Sequence, residues 1–217
     1  MFNDIKGIDV ASRYNSIISI DKQFIASSGS IIPSTTIKTN SGSKLDISLY
    51  EDTLTSDTEG NQKLISIIQN EKGNNEIDQR LLNALNWIGL SIAEKNNAIA
   101  LVQATFAIEC LLQYDSKGIP INKSIVASLS ESIAILLGDS FQSRKEYEKK
   151  FKSLYSLRSK IAHGKGNDVT VLQVLDAIDI AKKTVVAILT NPEIKEAKTI
   201  QMINNYVERV RYTYKNE

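Results

Sequence analysis

The sequence predicts a mainly α protein, an antiparallel helical bundle preceded by a small N-terminal region of short strands and loops. Three observations carry this. From residue 77 onward, apolar residues recur at the three- and four-residue spacing of helices. The connections between these periodic segments are short, which favours antiparallel neighbours. The first 75 residues differ, being rich in Ser, Thr, Asn and Gly, with brief β-favouring runs at 14–20, 24–32 and 44–54. The expected division is therefore 1–75 as a small region and 76–217 as the bundle. A chain of 217 residues can bury one core with an appended module rather than two full-sized domains.

Leu64, Ile67 and Ile68 form a weak helical pattern that should stop at Lys72-Gly73-Asn74-Asn75, which reads as a linker. The first helix of the bundle carries Leu81, Leu85, Ile88 and Ile92 on one face. After a break near Lys95-Asn96-Asn97, the second carries Leu101, Thr105, Ile108 and Leu112. Gly118-Ile119-Pro120 separates this pair from a third helix at 123–137, ended by Gly138. The fourth is expected to begin at Ser143, where Ser143-x-x-Glu146 reads as a capping box. Its apolar positions Tyr147, Phe151, Leu154, Leu157 and Ile161 carry it to His163, with Gly164 as the stop. A fifth helix spans 168–189. A sixth is expected from Pro192, capped by Asn191, and its stripe of Ile200, Ile203, Val207, Val210 and Tyr214 is spaced like a packing seam.

The 42% apolar and 24% charged content is that of an ordinary folded, soluble protein. The longest apolar stretch, Asn97–Leu112, is interrupted by Gln103 and Glu109 and is too short to cross a bilayer. The opening MFNDIKGIDV has no basic start followed by an apolar core, so a cytoplasmic location and no membrane are expected. The single cysteine, Cys110, lies in an apolar run and reads as a buried, inert thiol. One histidine and one cysteine exclude the usual His/Cys zinc sites, and the chain has no glycine-rich phosphate loop and no G-x-S-x-G elbow. No metal and no cofactor are expected. Asp176 and Asp179 read as the polar face of a helix.

Net charge is only +1, so a polyanionic partner would have to be met by a local concentration of charge. One exists at 144–165, with eight basic residues against two acidic ones; it is either a solvated basic face or a site. It contains Tyr155-Ser156-Leu157-Arg158-Ser159-Lys160-Ile161-Ala162-His163-Gly164. Arg158 and His163 are five residues apart, about 140° around an ideal helix, so they converge only if His163 sits on a frayed last turn. A helix C-terminus favours imidazolium there. A histidine in that position can equally serve as a carbonyl cap. On the second helix, Glu109 shares a face with Val102 and Phe106 and is drawn toward the core, where a carboxylate needs a partner.

Arg158, four intervening residues and His163 resemble the R-x4-6-H signature of the HEPN superfamily. The wider text is similar to the Apea-like branch over roughly residues 77–189. That text comprises Leu81-x-x-Ala84-Leu85-x-Trp87, the run from Phe106 to Leu112, and Leu157 to Gly164. The resemblance implies a dimerising helical bundle, and in many members a metal-independent ribonuclease of defence or toxin–antitoxin systems. It implies a role for each matched residue. His163 would act on a proton of the ribose 2′-OH or the leaving 5′-oxygen, and Arg158 would hold the scissile phosphate. Glu109 would support Arg158, although a pairing with a surface lysine is an equal alternative. Ser159 stands where Asn, Asp or His is more usual, and Lys152, Lys160 and Lys165 are candidates for contact with the RNA backbone. The implied partners are RNA, a second copy of the chain, and an antitoxin or another defence protein.

A separate argument also favours a dimer. Acid–base cleavage wants a proton acceptor and a proton donor, and a twofold pair of chains would supply two histidines. Two other readings stand beside the nuclease: a HEPN module that binds RNA or a protein without cutting, and an assembly subunit docking through its sixth-helix stripe. The latter would fail if Ile203, Val207 and Val210 were buried in the chain's own bundle. The region 1–75 could recognise a partner, block the site or cover the bundle.

Overall fold

The computed structural model describes residues 23–27, 30–34, 60–70, 75–114, 125–165 and 168–213, the first two segments by their backbone only. In the N-terminal part, β1 (Gln23–Ser27) pairs antiparallel with β2 (Ser30–Ser34), with Ile25 opposite Ile32. The strands expected at 14–20 and 44–54 lie outside the described residues. The rest is helical: α1 (Asn61–Gln69), α2 (Glu76–Ala93), α3 (Asn97–Leu112), α4 (Ile125–Leu137), α5 (Phe141–Ala162), α6 (Val171–Thr190) and α7 (Ile200–Thr213).

The bundle is organised around α3, which packs on α2, α4, α5 and α6. Leu101, Thr105, Ile108 and Leu112 are all buried, as one apolar face predicts. Ala98, Ala100, Ala104 and Ala107 are buried as well, so the helix is apolar on nearly every side and its small residues let neighbouring helices approach. Two buried hydroxyls are answered by nearby carbonyls. The Ser91 hydroxyl of α2 donates to the Ala100 carbonyl at 2.7 Å, and the Thr105 hydroxyl donates to the Val102 carbonyl at 2.8 Å. Ile67 of α1 belongs to the same core, in which Phe151 of α5 is the largest fully buried side chain.

Helix boundaries follow from the caps. Asn75 and Asp78 form a capping box at the start of α2, and the Asn96 side chain accepts from the Ala98 and Ile99 amides at the start of α3. The fourth bundle helix, α5, starts earlier than Ser143. Ser140 is the N-cap and Ser143 is its capping-box partner, so the Ser143-x-x-Glu146 pattern lies one turn inside the helix. The next helix starts later than residue 168, because Thr170 and Gln173 make the capping box of α6. The helix expected from Pro192 also moves. Asn191 closes α6, its amide donating to the Ala187 carbonyl at 3.0 Å, while its side chain accepts from the Glu193 amide. Residues 192–196 then form a turn whose Ile194 is buried, and the chain becomes helical again only at Ile200.

Gly138 does follow α4 directly, and close approach is the reason for glycine there. A Cβ would lie 2.7 Å from the Ala134 carbonyl oxygen and 2.8 Å from the Arg144 backbone nitrogen. Arg144 turns back to donate from Nε to the Gly138 carbonyl at 3.1 Å, tying α4 to α5. The seam of α7 packs on α4, with Ile203 and Val207 buried and Arg211 paired with Glu131 at 3.0 Å. Val210 is half-buried. Burial of Ile203 and Val207 in the chain's own bundle takes the middle of this stripe away from another protein, while Tyr214 lies outside the described residues. No helix among the described residues is long and apolar enough to cross a membrane.

Candidate functional site

The candidate site is built where the last turns of α5 cross α3. The apolar face of α5 holds Phe151 and Leu154 in the core, which fixes the rotation of the helix and turns Arg158 toward α3. Arg158 Nη2 donates to Glu109 Oε2 at 3.3 Å. Oε1 is also near, 3.2 Å from Nη2, but off the direction of an N–H, so it is in the ion pair without a hydrogen bond of its own. The two side chains retain only 22% and 16% of their exposure, so water competes weakly for either charge and each is the other's main partner. Glu109 is thus paired with Arg158 rather than with a surface lysine.

Two aromatic rings complete the setting. The guanidinium carbon of Arg158 is 5.2 Å from the Phe106 ring centre and 5.4 Å from that of Tyr155. Phe106 is one turn before Glu109 on α3, and Tyr155 is one turn before Arg158 on α5. Burial, reinforced by the charge of Glu109, pushes the Tyr155 hydroxyl above its ordinary value, and Arg158 opposes the shift. Sequence reasoning named Glu109 and Arg158 without these rings. The three-residue spacing that put Phe106 on Glu109's face was visible, and the same spacing applied to Arg158 would have found Tyr155.

His163 ends the same helix in a different environment. The Gly164 amide donates to the Ile161 carbonyl at 3.0 Å and the Lys165 amide to the Lys160 carbonyl at 2.8 Å, with Gly164 at φ 68°, a Schellman closure. His163 donates its own amide to the Ser159 carbonyl at 3.1 Å. The Ser159, Lys160 and Ile161 carbonyls are therefore satisfied by backbone, and the imidazole is exposed with no hydrogen bond to any described residue. Within one chain no hydrogen bond joins His163 to Arg158: the arginine faces inward to α3 and the histidine faces solvent. Ser159 is half-buried beside them.

The basic run is thinner than its composition suggests. Lys152 is paired with Glu148, Lys150 with Asp176 at 2.8 Å, and Arg144 is the tie to Gly138. Lys152 is also about 16 Å along the helix from His163 at the standard rise, so it does not share a site with it. Lys160 and Lys165 are exposed beside His163 and remain as the local positive charge. Asp176 and Asp179 pair with Lys150 and Lys183 across exposed helix faces.

Cys110 is half-buried rather than buried, at the edge of the site next to Glu109. Burial and then the charge of Glu109 raise its thiol above the ordinary value, which keeps it protonated and unreactive near neutral pH. No group of three or more His, Cys, Asp or Glu side chains placed to hold a metal occurs among the described residues. Comparison of the chain with protein-family models, curated proteins and solved structures finds no match.

Proposed function

We propose that this chain is a metal-independent RNA endonuclease of HEPN type, acting as a homodimer and serving as a toxin or effector in prokaryotic defence or a toxin–antitoxin pair. The observation that carries the reading is the held guanidinium of Arg158, fixed by Glu109, Phe106 and Tyr155 on the same terminal turns that present His163 and Lys160 to solvent. An arginine whose rotamer is set in advance loses little freedom on receiving a phosphate. Its Nη1 has no hydrogen bond to a described residue, so it can donate to a non-bridging oxygen while Nη2 keeps Glu109.

In this reaction the ribose 2′-oxygen attacks the adjacent phosphorus and its proton passes to a neutral imidazole. The bond from phosphorus to the 5′-oxygen breaks, and that oxygen takes a proton from an imidazolium. The products are a 2′,3′-cyclic phosphate and a free 5′-hydroxyl. Each chain offers one histidine, so the acceptor and the donor come from two copies of α5 about a twofold axis. A strand lacking the 2′-OH cannot react.

The separation of His163 from Arg158 within one chain favours a second reading: a module that binds RNA or a protein without cutting. The two are separated by incubating wild-type and His163→Ala protein with total RNA and with a structured tRNA, in EDTA and in magnesium. The nuclease reading expects new fragments in both buffers, absent with His163→Ala. RNA left intact by folded, dimeric wild-type protein would move the account to the binding module.

A further inference from the structure

Between α2 and α3, directly beside the Arg158 site, lies an open cleft of about 350 Å3 lined by Arg80, Trp87, Phe106, Glu109, Cys110 and Gln113. It shares Phe106 and Glu109 with the setting of Arg158, so whatever occupies it is one side chain away from that guanidinium. Its walls carry aromatic rings, Trp87 meeting Phe106 edge-on with centres 5.2 Å apart. Trp87 is half-exposed.

The polar groups decide what the cleft can take. Arg80 keeps only Nη2 for a ligand, because Nε donates to Glu76 at 2.9 Å and Nη1 donates to the Cys110 and Gln113 carbonyls at 2.8 and 3.1 Å, and its charge is already balanced by the Glu76 carboxylate. Glu109 adds a carboxylate whose charge is paired with Arg158, with Oε2 bonded to Nη2 and Oε1 closed off from solvent. Gln113 uses its backbone to end α3, whereas its side-chain amide has no hydrogen bond to a described residue. The cleft is thus an aromatic-walled space with an unbonded amide and charges that are already paired, suited to a neutral ring bearing N–H groups more than to a phosphate.

We infer that the cleft is a nucleobase subsite, where a base with an exocyclic amino group stacks on Trp87 and is read by the Gln113 amide while its phosphate lies toward Arg158. The inference rests on the RNA reading above and names the part of the strand that this face selects. Adenine fits best, since a glutamine amide pairs with its N6 and N7 edge at once. Held in the same orientation, uracil presents O4 and C5–H on that edge and makes one bond to the amide instead of two, its N3–H reaching the amide only if the ring turns. Stacking on a single aromatic tolerates any base, so the preference comes from Gln113.

Trp87 is the only tryptophan of the chain, which makes its fluorescence a direct probe of the cleft. Full-length His163→Ala protein is titrated with 3′-AMP and 3′-UMP, then with short oligoadenylate and oligouridylate, following fluorescence and, for labelled oligomers, anisotropy. Saturable quenching is expected, with the adenine ligands binding on the order of tenfold tighter than the uracil ones. Gln113→Leu, which changes only a half-exposed side chain, should erase that preference and leave the fold intact. Quenching by oligomers alone identifies the occupant as a base within a strand, and quenching by both admits the free nucleotide. Oligomers that raise the anisotropy while Trp87 is unchanged would overturn the subsite and leave the RNA reading standing. Quenching with the adenine preference, in a protein whose wild type cuts no RNA, would keep the subsite and sink the nuclease. Absence of any binding would overturn both.

Discussion

Replacing Glu109 by leucine while Arg158 stays in place would strand a guanidinium that has 22% of its side-chain exposure left and two aromatic rings near it. Breaking one side of a fully buried pair costs about 3–5 kcal/mol. The remaining exposure lets some water reach the charge, and the rings each retain about 0.5–2 kcal/mol of attraction for it, so the expected loss is about 2–3 kcal/mol. Leucine at both positions removes the stranded charge, and the double variant should recover most of that loss, giving a coupling of about 2 kcal/mol. Urea denaturation measures this as a lowered midpoint at constant slope for the single variant, with partial return in the double. A Glu109→Leu cost under about 0.5 kcal/mol, with additive single and double variants, would refute the claim that the pair is effectively out of solvent.

Two glycines separate steric from conformational cost. Gly138→Ala drives a methyl into the Ala134 carbonyl and the Arg144 backbone and should destabilise by about 1–3 kcal/mol, whereas Gly164→Ala meets no atom within 4 Å and should cost about 1–2 kcal/mol from its left-handed φ alone; equal midpoint shifts accompanied by unchanged α4–α5 packing would contradict the first. Stability should also fall on the alkaline side. Burial and Glu109 raise Tyr155 above 10.0 and Cys110 above 9.0, so the fold prefers their neutral forms, a contribution complete below those values and lost as pH rises through the raised ones. Tyr155→Phe should flatten the upper part of a urea-midpoint profile taken from about pH 8 to 11, and an unchanged profile would contradict the assignment.

The periodic parts of the chain were legible because their apolar spacing is dictated by burial: Leu81, Ile88, Leu101, Ile108 and Phe151 are all in the core. Helix ends were less so. Ser140 and Ser143 are both competent caps, and only the reciprocal bonds between them decide which one begins the helix. At Asn191-Pro192 the favoured start of a helix and the favoured end of one use the same residues, and the burial of Ile194 in a turn tips the balance. The central place of α3 was hidden because alanine carries little periodic signal, though four buried alanines allow its neighbours to close on it. At the site, the Glu109–Arg158 pair followed from the need of a buried carboxylate for a partner. The aromatic flanks were legible only as neighbours, Phe106 of Glu109 and Tyr155 of Arg158, because their closing on one guanidinium depends on the crossing of two helices distant in sequence. The basic run was over-read, since composition cannot tell a free lysine from one such as Lys150 or Lys152 that its own neighbours already neutralise.

The central claim is that Arg158 and His163 cut RNA through its own 2′-hydroxyl. The most direct test mixes purified protein, in EDTA, with a cleaved RNA and with the same strand carrying a single 2′-deoxy nucleotide at the cut, and identifies the new ends. The account predicts a 2′,3′-cyclic phosphate and a 5′-hydroxyl on the first strand and no cut at that position in the second, with Arg158→Ala and His163→Ala proteins inactive on both. Cleavage that survives the 2′-deoxy substitution, or that persists undiminished in His163→Ala protein, would contradict it.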